Sequence, residues 1–165
     1  MRNIAVVAAL VGCAPGYTAS VVMTPRIVAE RGTHTFAADR HRVFVATEGA
    51  LKVLGYEVAF SDETVGVIKT APHTIVTAGT TEPTVPGFAA TTTTATIYAR
   101  SYAIQLVDDQ GQTRVEATPR MFAGGNDISQ RDIWNLGVEN NAWYQLFNEI
   151  GSNLGTAVLP PVAQP

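Results

Sequence analysis

The sequence predicts an α+β domain, an antiparallel sheet of four to five strands with two helices packed on one face. Three observations carry that expectation. Apolar residues recur at helical spacing from Phe36 to Leu54 and again from Trp143 to Leu154. Between these stretches, runs that alternate apolar and polar residues have the period of half-buried strands. Those runs come as consecutive hairpins, which makes neighbours antiparallel and leaves the helices to cover one side.

The elements follow in order. Ala14 to Ser20 is small and turn-forming, suited to a tether, and Val21 to Glu30 reads as a first strand or extended linker that Pro25 would confine to an edge. A helix of about five turns is expected from Thr35, with Phe36, Val43, Phe44, Thr47, Ala50, Leu51 and Leu54 on its buried stripe. Thr33 or Thr35 would cap its start and Gly55 its end. Tyr56, Val58 and Phe60 alternate with polar neighbours, Ser61-Asp62-Glu63-Thr64 makes a turn, and Val65 to Thr70 returns as the hairpin partner, with Gly66 marking a bulge or a close approach.

Ala71 to Ala90 holds three prolines, two glycines and many threonines, and is expected to be a long loop joining two halves of one sheet. A long strand from Thr94 to Val107 places Tyr98, Tyr102, Ile104 and Leu106 on one face. Asp108-Asp109-Gln110-Gly111 turns the chain into Thr113 to Phe122, which Pro119 would put at a sheet edge. Gly124-Gly125-Asn126-Asp127 is a break. The last helix carries Trp143, Leu146, Phe147, Ile150 and Leu154, with Asn140 or Asn141 as cap, an earlier turn over Ile128 to Val138 interrupted at Gly137, and Gly155 as the stop.

At 165 residues the chain has room for one domain with a short tail at each end, and 46% hydrophobic residues suffice for a core. The net charge of −3, without clustered Lys and Arg, argues against a nucleic-acid partner. The single cysteine excludes an internal disulfide. Beyond residue 13 no apolar run approaches the roughly 20 residues that span a bilayer.

The start of the chain carries the sharpest motif. Arg2 precedes an apolar run from Ile4 to Val11, the charged and hydrophobic regions of a secretory signal, and Leu10-Val11-Gly12-Cys13 follows. This stretch resembles the lipobox of bacterial lipoproteins at all four positions. The resemblance implies removal of residues 1–12, acylation of Cys13 and attachment of the mature chain to a membrane; several acyl chains are needed because one gives only marginal, reversible binding. It also implies the outer membrane, because Ala14 stands where Asp is a common inner-membrane retention signal in that family. The competing reading is a buried strand and glycine turn opening an α/β domain, but the spacing is not G-x-G-x-x-G and Pro25 falls within the helix that would have to follow.

A second resemblance lies in the run from Phe36 through Leu54-Gly55-Tyr56 to Asp62 and Gly66-Val67-Ile68-Lys69-Thr70. It is similar to the repeated domains of the C-type lipoprotein of the outer-membrane barrel assembly machine, covers about a fifth of the chain, and supports the fold more than the activity. The implied organisation is a signal peptide over 1–12, a tether and possible first strand over 13–32, a periplasmic α+β domain over 33–155 and a disordered Pro-rich tail over 156–165.

Chemistry-bearing motifs are sparse. No G-x-S-x-G elbow surrounds Ser20, Ser61, Ser101, Ser129 or Ser152. Metal binding would draw on His34, His41 and His73 with Asp39 or Asp62, yet no H-x-x-x-H or H-E-x-x-H spacing occurs, and no motif calls for a cofactor. Asp62 and Glu63 read as turn residues rather than a paired acid and base. Trp143, Phe147, Tyr98 and Tyr102 read as core, whereas Trp134, in a less regular stretch, is the candidate exposed partner contact.

The expected function is therefore that of a non-enzymatic lipoprotein held in the outer membrane through Cys13. Its body would face the periplasm as a structural or accessory subunit with protein partners in an envelope assembly. Its candidate interaction surfaces are the edge strand at Thr113–Phe122, the Thr-rich loop and the Pro-rich tail. The alternatives are a binding protein for a small apolar or glycan ligand, and an envelope hydrolase.

Overall fold

A computed structural model describes residues 20–81 and 93–156. Cys13, the signal-like stretch before it, residues 82–92 of the Thr/Pro-rich segment and residues 157–165 of the tail lie outside the described residues. The fold is α+β, with an antiparallel sheet. Among the described residues it has seven strands and three helices, more than the four to five strands and two helices that the sequence suggested.

The chain enters through Val21, which pairs with Trp134 in an isolated bridge, and forms α1 at Pro25–Arg31. Here the expected first strand is instead a helix. Pro25 sits at its first position, where the missing N–H costs nothing, and the Thr24 side chain accepts a hydrogen bond from Ile27 N. Met23 and Val28 are buried, so this stretch belongs to the folded body and not to a tether.

β1 (Thr33–Phe36) follows, then α2 (Arg40–Val53). The helix starts later than its spacing suggested because Asp39, not a threonine, caps it: its carboxylate accepts from Arg42 N at 3.0 Å. Phe36 is nevertheless buried, from the strand. Gly55 ends the helix as expected, at φ +81°, with Tyr56 N donating to Leu51 O at 2.8 Å.

β2 (Val58–Asp62) and β3 (Val67–Thr70) form the expected hairpin. Asp62 closes the turn by accepting from Thr64 N at 2.8 Å. Gly66 is a close-approach site: at φ +68° its carbonyl accepts from Leu106 N at 2.7 Å, and a Cβ there would lie 2.4 Å from Leu106 O.

The expected long loop begins instead as a strand, β4 (His73–Thr81), paired along β5 (Thr93–Asp109). Its threonines are β-branched and suit a strand as well as a loop. Gln110 and Gly111, both at positive φ, make the tight turn into β6 (Gln112–Ala123). β6 is not an edge strand. It has β5 along one side, and on the other β1 at Thr113–Glu116 and the short β7 (Asn126–Asp127) at Phe122–Ala123. Pro119 falls in the interval between β1 and β7, where no ladder partner requires its absent N–H.

The final helix, α3, runs Leu136–Leu154, longer than expected. Asn135 caps it by accepting from Gly137 N and Val138 N, so Gly137 lies in the first turn rather than interrupting the helix. Gly155, at φ +69°, stops it.

The core lies between the sheet and α2 and α3, which pack on each other. Tyr102, Ile104 and Leu106 of β5 and Val115, Ala117 and Met121 of β6 face Phe44, Leu51, Trp143, Leu146 and Ile150. Each fully buried Leu or Ile contributes about 1.5–3 kcal/mol.

Candidate functional site

The feature that packing alone does not call for is a cluster of polar groups at one end of the core. On β5 the core-facing parity that carries Tyr102, Ile104 and Leu106 also carries Arg100, opposite Met121 of β6. On α3 the buried stripe of Trp143, Leu146 and Ile150 begins at Glu139, one turn earlier. Strand alternation and helix periodicity thus turn a guanidinium and a carboxyl toward each other inside the protein.

Arg100 Nη2 lies 2.8 Å from Glu139 Oε2, and the two side chains are only 7% and 2% exposed. Tyr102 donates its hydroxyl to Glu139 Oε1 at 3.3 Å. The Tyr56 ring meets Tyr102 edge-on at 5.3 Å and lies 5.0 Å from the His73 ring. Arg100 Nε is buried and has no hydrogen-bond partner among the described residues.

Burial sets the acid–base character of the cluster. Loss of water raises the Glu139 carboxyl above its ordinary range, and the Arg100 charge and the Tyr102 hydrogen bond only partly oppose it. Burial also raises both tyrosines, the more deeply buried Tyr102 the more strongly; the Glu139 charge adds to both and the Arg100 charge opposes it. For Arg100, burial disfavours the cation, but Tyr102, Glu139 and Tyr56 outweigh it and the group is held charged.

Beside the cluster is a cavity of about 270 Å³. Tyr56, His73, Thr74, Arg100 and Gln145 supply its polar lining, and Leu54, Ile75 and Ala142 part of its apolar wall. Among the described residues Arg100 is the one ordinarily charged lining residue; Glu139 stands behind it and does not line the cavity. A larger groove of about 600 Å³ runs along the outer side of α2 past Val45 and Val53, but its walls are mostly surface side chains with no buried ionisable group.

Trp134, the candidate exposed contact, is 1% exposed. Its indole N–H donates to Ser129 O at 2.9 Å and its backbone pairs with Val21, so the irregular stretch around it is a packed loop rather than a recognition surface. Trp143 is core as expected, its indole donating to Ala117 O at 2.9 Å.

The three histidines stand apart. His34 stacks on Phe147 at 5.5 Å, His41 pairs with Glu63 at 2.9 Å on the surface, and His73 rests against Tyr56. Among the described residues no three His, Cys, Asp or Glu side chains come together as a metal site, and no helix is long and apolar enough to cross a membrane. Asp62 and Glu63 point to different partners, the turn amides and His41.

No known family profile and no curated protein matches this chain. Among solved structures it is similar to a DUF4468 family protein from Bacteroides ovatus ATCC 8483, at 11% identity and a TM-score of 0.41 over 78% of this chain and 88% of that one. It is also similar to Ara h 8.0201, at 15% identity and a TM-score of 0.33 over 76% of this chain and 100% of that one.

Proposed function

We propose that the chain is a lipid-anchored protein of the bacterial outer membrane whose α+β body serves, without catalysis of its own, as a structural or accessory subunit of an envelope assembly. The observation that carries this reading is the tetrapeptide Leu10-Val11-Gly12-Cys13, whose Cys13 falls seven positions ahead of the first described residue, Ser20. Seven steps of chain reach at most about 25 Å when extended. An acylated Cys13 would therefore keep the body close to the lipid surface.

Two structural features suit an accessory role. β4 has β5 on one side and no strand on the other among the described residues, and such an edge can accept an extended segment of a second chain. The scattered histidines remove the best support for a hydrolase, since acyl transfer needs a nucleophile and a base in one place.

Fractionation of cells expressing the wild type and Cys13→Ser tests the reading. The wild type is expected in the outer-membrane fraction, and Cys13→Ser is expected to leave it. Equal distribution of both proteins in the soluble fraction would refute the anchor.

A further inference from the structure

We infer that the cavity between Tyr56, His73, Arg100 and Gln145 is a binding site for a small organic carboxylate, a property that does not depend on the membrane anchor. Three observations converge on it. The lining combines Arg100, held charged, with hydroxyl, imidazole and amide groups, and includes no carboxylate among the described residues. A ligand there meets a guanidinium whose charge is shared with Glu139 behind it, together with several hydrogen-bonding groups of the wall.

The second observation is the unused hydrogen-bonding capacity of Arg100. A guanidinium has five N–H donors in a fixed fork. Glu139 takes Nη2 and Tyr56 also hydrogen-bonds the guanidinium; Nε has no partner among the described residues and is sealed from solvent, so a ligand would meet the guanidinium through the remaining N–H groups of Arg100 at the cavity wall. Glu139 behind the guanidinium holds it in place, which is the arrangement of an orienting residue rather than of a competing ligand.

The third is size and shape. At about 30 Å³ per water, 270 Å³ holds roughly nine waters or an organic acid of similar bulk. Leu54 and Ile75 offer an apolar wall for the carbon skeleton of such an acid. Ile75 is 38% exposed, which places the mouth at the start of β4.

Titration of the ¹⁵N-labelled protein with butyrate and benzoate, and with butyramide and benzamide as uncharged isosteres, tests this by NMR. The carboxylates are expected to shift the Arg100 Nε–H resonance and the amides of His73, Thr74 and Gln145 saturably, and to bind about tenfold more tightly than the uncharged amides. Tyr56→Phe, which keeps the ring, and Gln145→Leu, at the rim, are expected to weaken carboxylate binding several-fold while leaving the rest of the spectrum in place. No saturable shift at tens of millimolar, equal binding of acid and uncharged amide, or unchanged binding in both variants would overturn the assignment.

Discussion

Arg100 and Glu139, thirty-nine positions apart, meet inside the protein with Nη2 2.8 Å from Oε2 and almost no exposure of either side chain. Breaking such a pair strands a charge, at a cost of about 3–5 kcal/mol, whereas replacing both members with apolar residues is often neutral. Glu139→Leu is therefore expected to lower unfolding stability by that amount in urea titration. The double variant Arg100→Met with Glu139→Leu is expected to recover most of it. Additive losses would mean that the two side chains are not coupled.

Gly66 is expected to be intolerant of even a methyl group. Its left-handed backbone disfavours any Cβ by about 1–3 kcal/mol, and collision with the Leu106 carbonyl adds overpacking of similar size. Gly124→Ala is the control, since that glycine also has positive φ but nothing within 4 Å of the added atom. Thermal unfolding of the two variants should separate strain from contact, with Gly66→Ala clearly the less stable.

Much of this organisation is legible in residue order. Gly55 marks the end of α2, the Asp62 turn and the strand alternation give the hairpins, and Gly66 announces a close approach. What escaped the pattern has physical reasons. Pro25 reads as a strand breaker or a helix opener with equal ease until Thr24 is seen to cap the helix. The threonines of β4 suit loop and strand alike.

The polar cluster did leave a signal: Arg100 shares the parity of Tyr102 and Ile104, and Glu139 lies four residues before Trp143 on the same helical stripe. A charge on an apolar face marks a buried partner, but the sequence does not say which one. Trp134 shows the opposite failure, because irregular backbone is not the same as exposed backbone.

His34 should make stability depend on pH near neutrality. Burial against Phe36 and Phe147 lowers its folded-state pKa below the ordinary 6.5, so the unfolded chain takes up the proton more readily. Its contribution is present above pH 6.5 and is lost as pH falls through the depressed value. Unfolding midpoints in urea between pH 8 and 5 should fall with pH for the wild type, and less steeply for His34→Phe.

Asp127 acts lower on the scale. Hydrogen bonds from Ser129 and the ion pair with Arg120 hold its carboxyl at about 2, against 3.8 in an unfolded chain. The stability it lends is present above pH 3.8 and disappears as pH falls toward 2. Asp127→Asn should lower the neutral plateau of the stability curve and flatten its acid limb in that window.

Both tryptophans are buried and bonded to backbone carbonyls, so their fluorescence should be blue-shifted and poorly quenched by iodide. Ready quenching that disappears in Trp134→Phe would restore Trp134 as a surface contact.

The anchor is tested most directly by the mass of the N-terminal peptide from protein recovered in the membrane fraction. The expected product is a chain beginning at Cys13 and carrying fatty acyl groups. A chain retaining residues 1–12 with an unmodified thiol at Cys13 would contradict it.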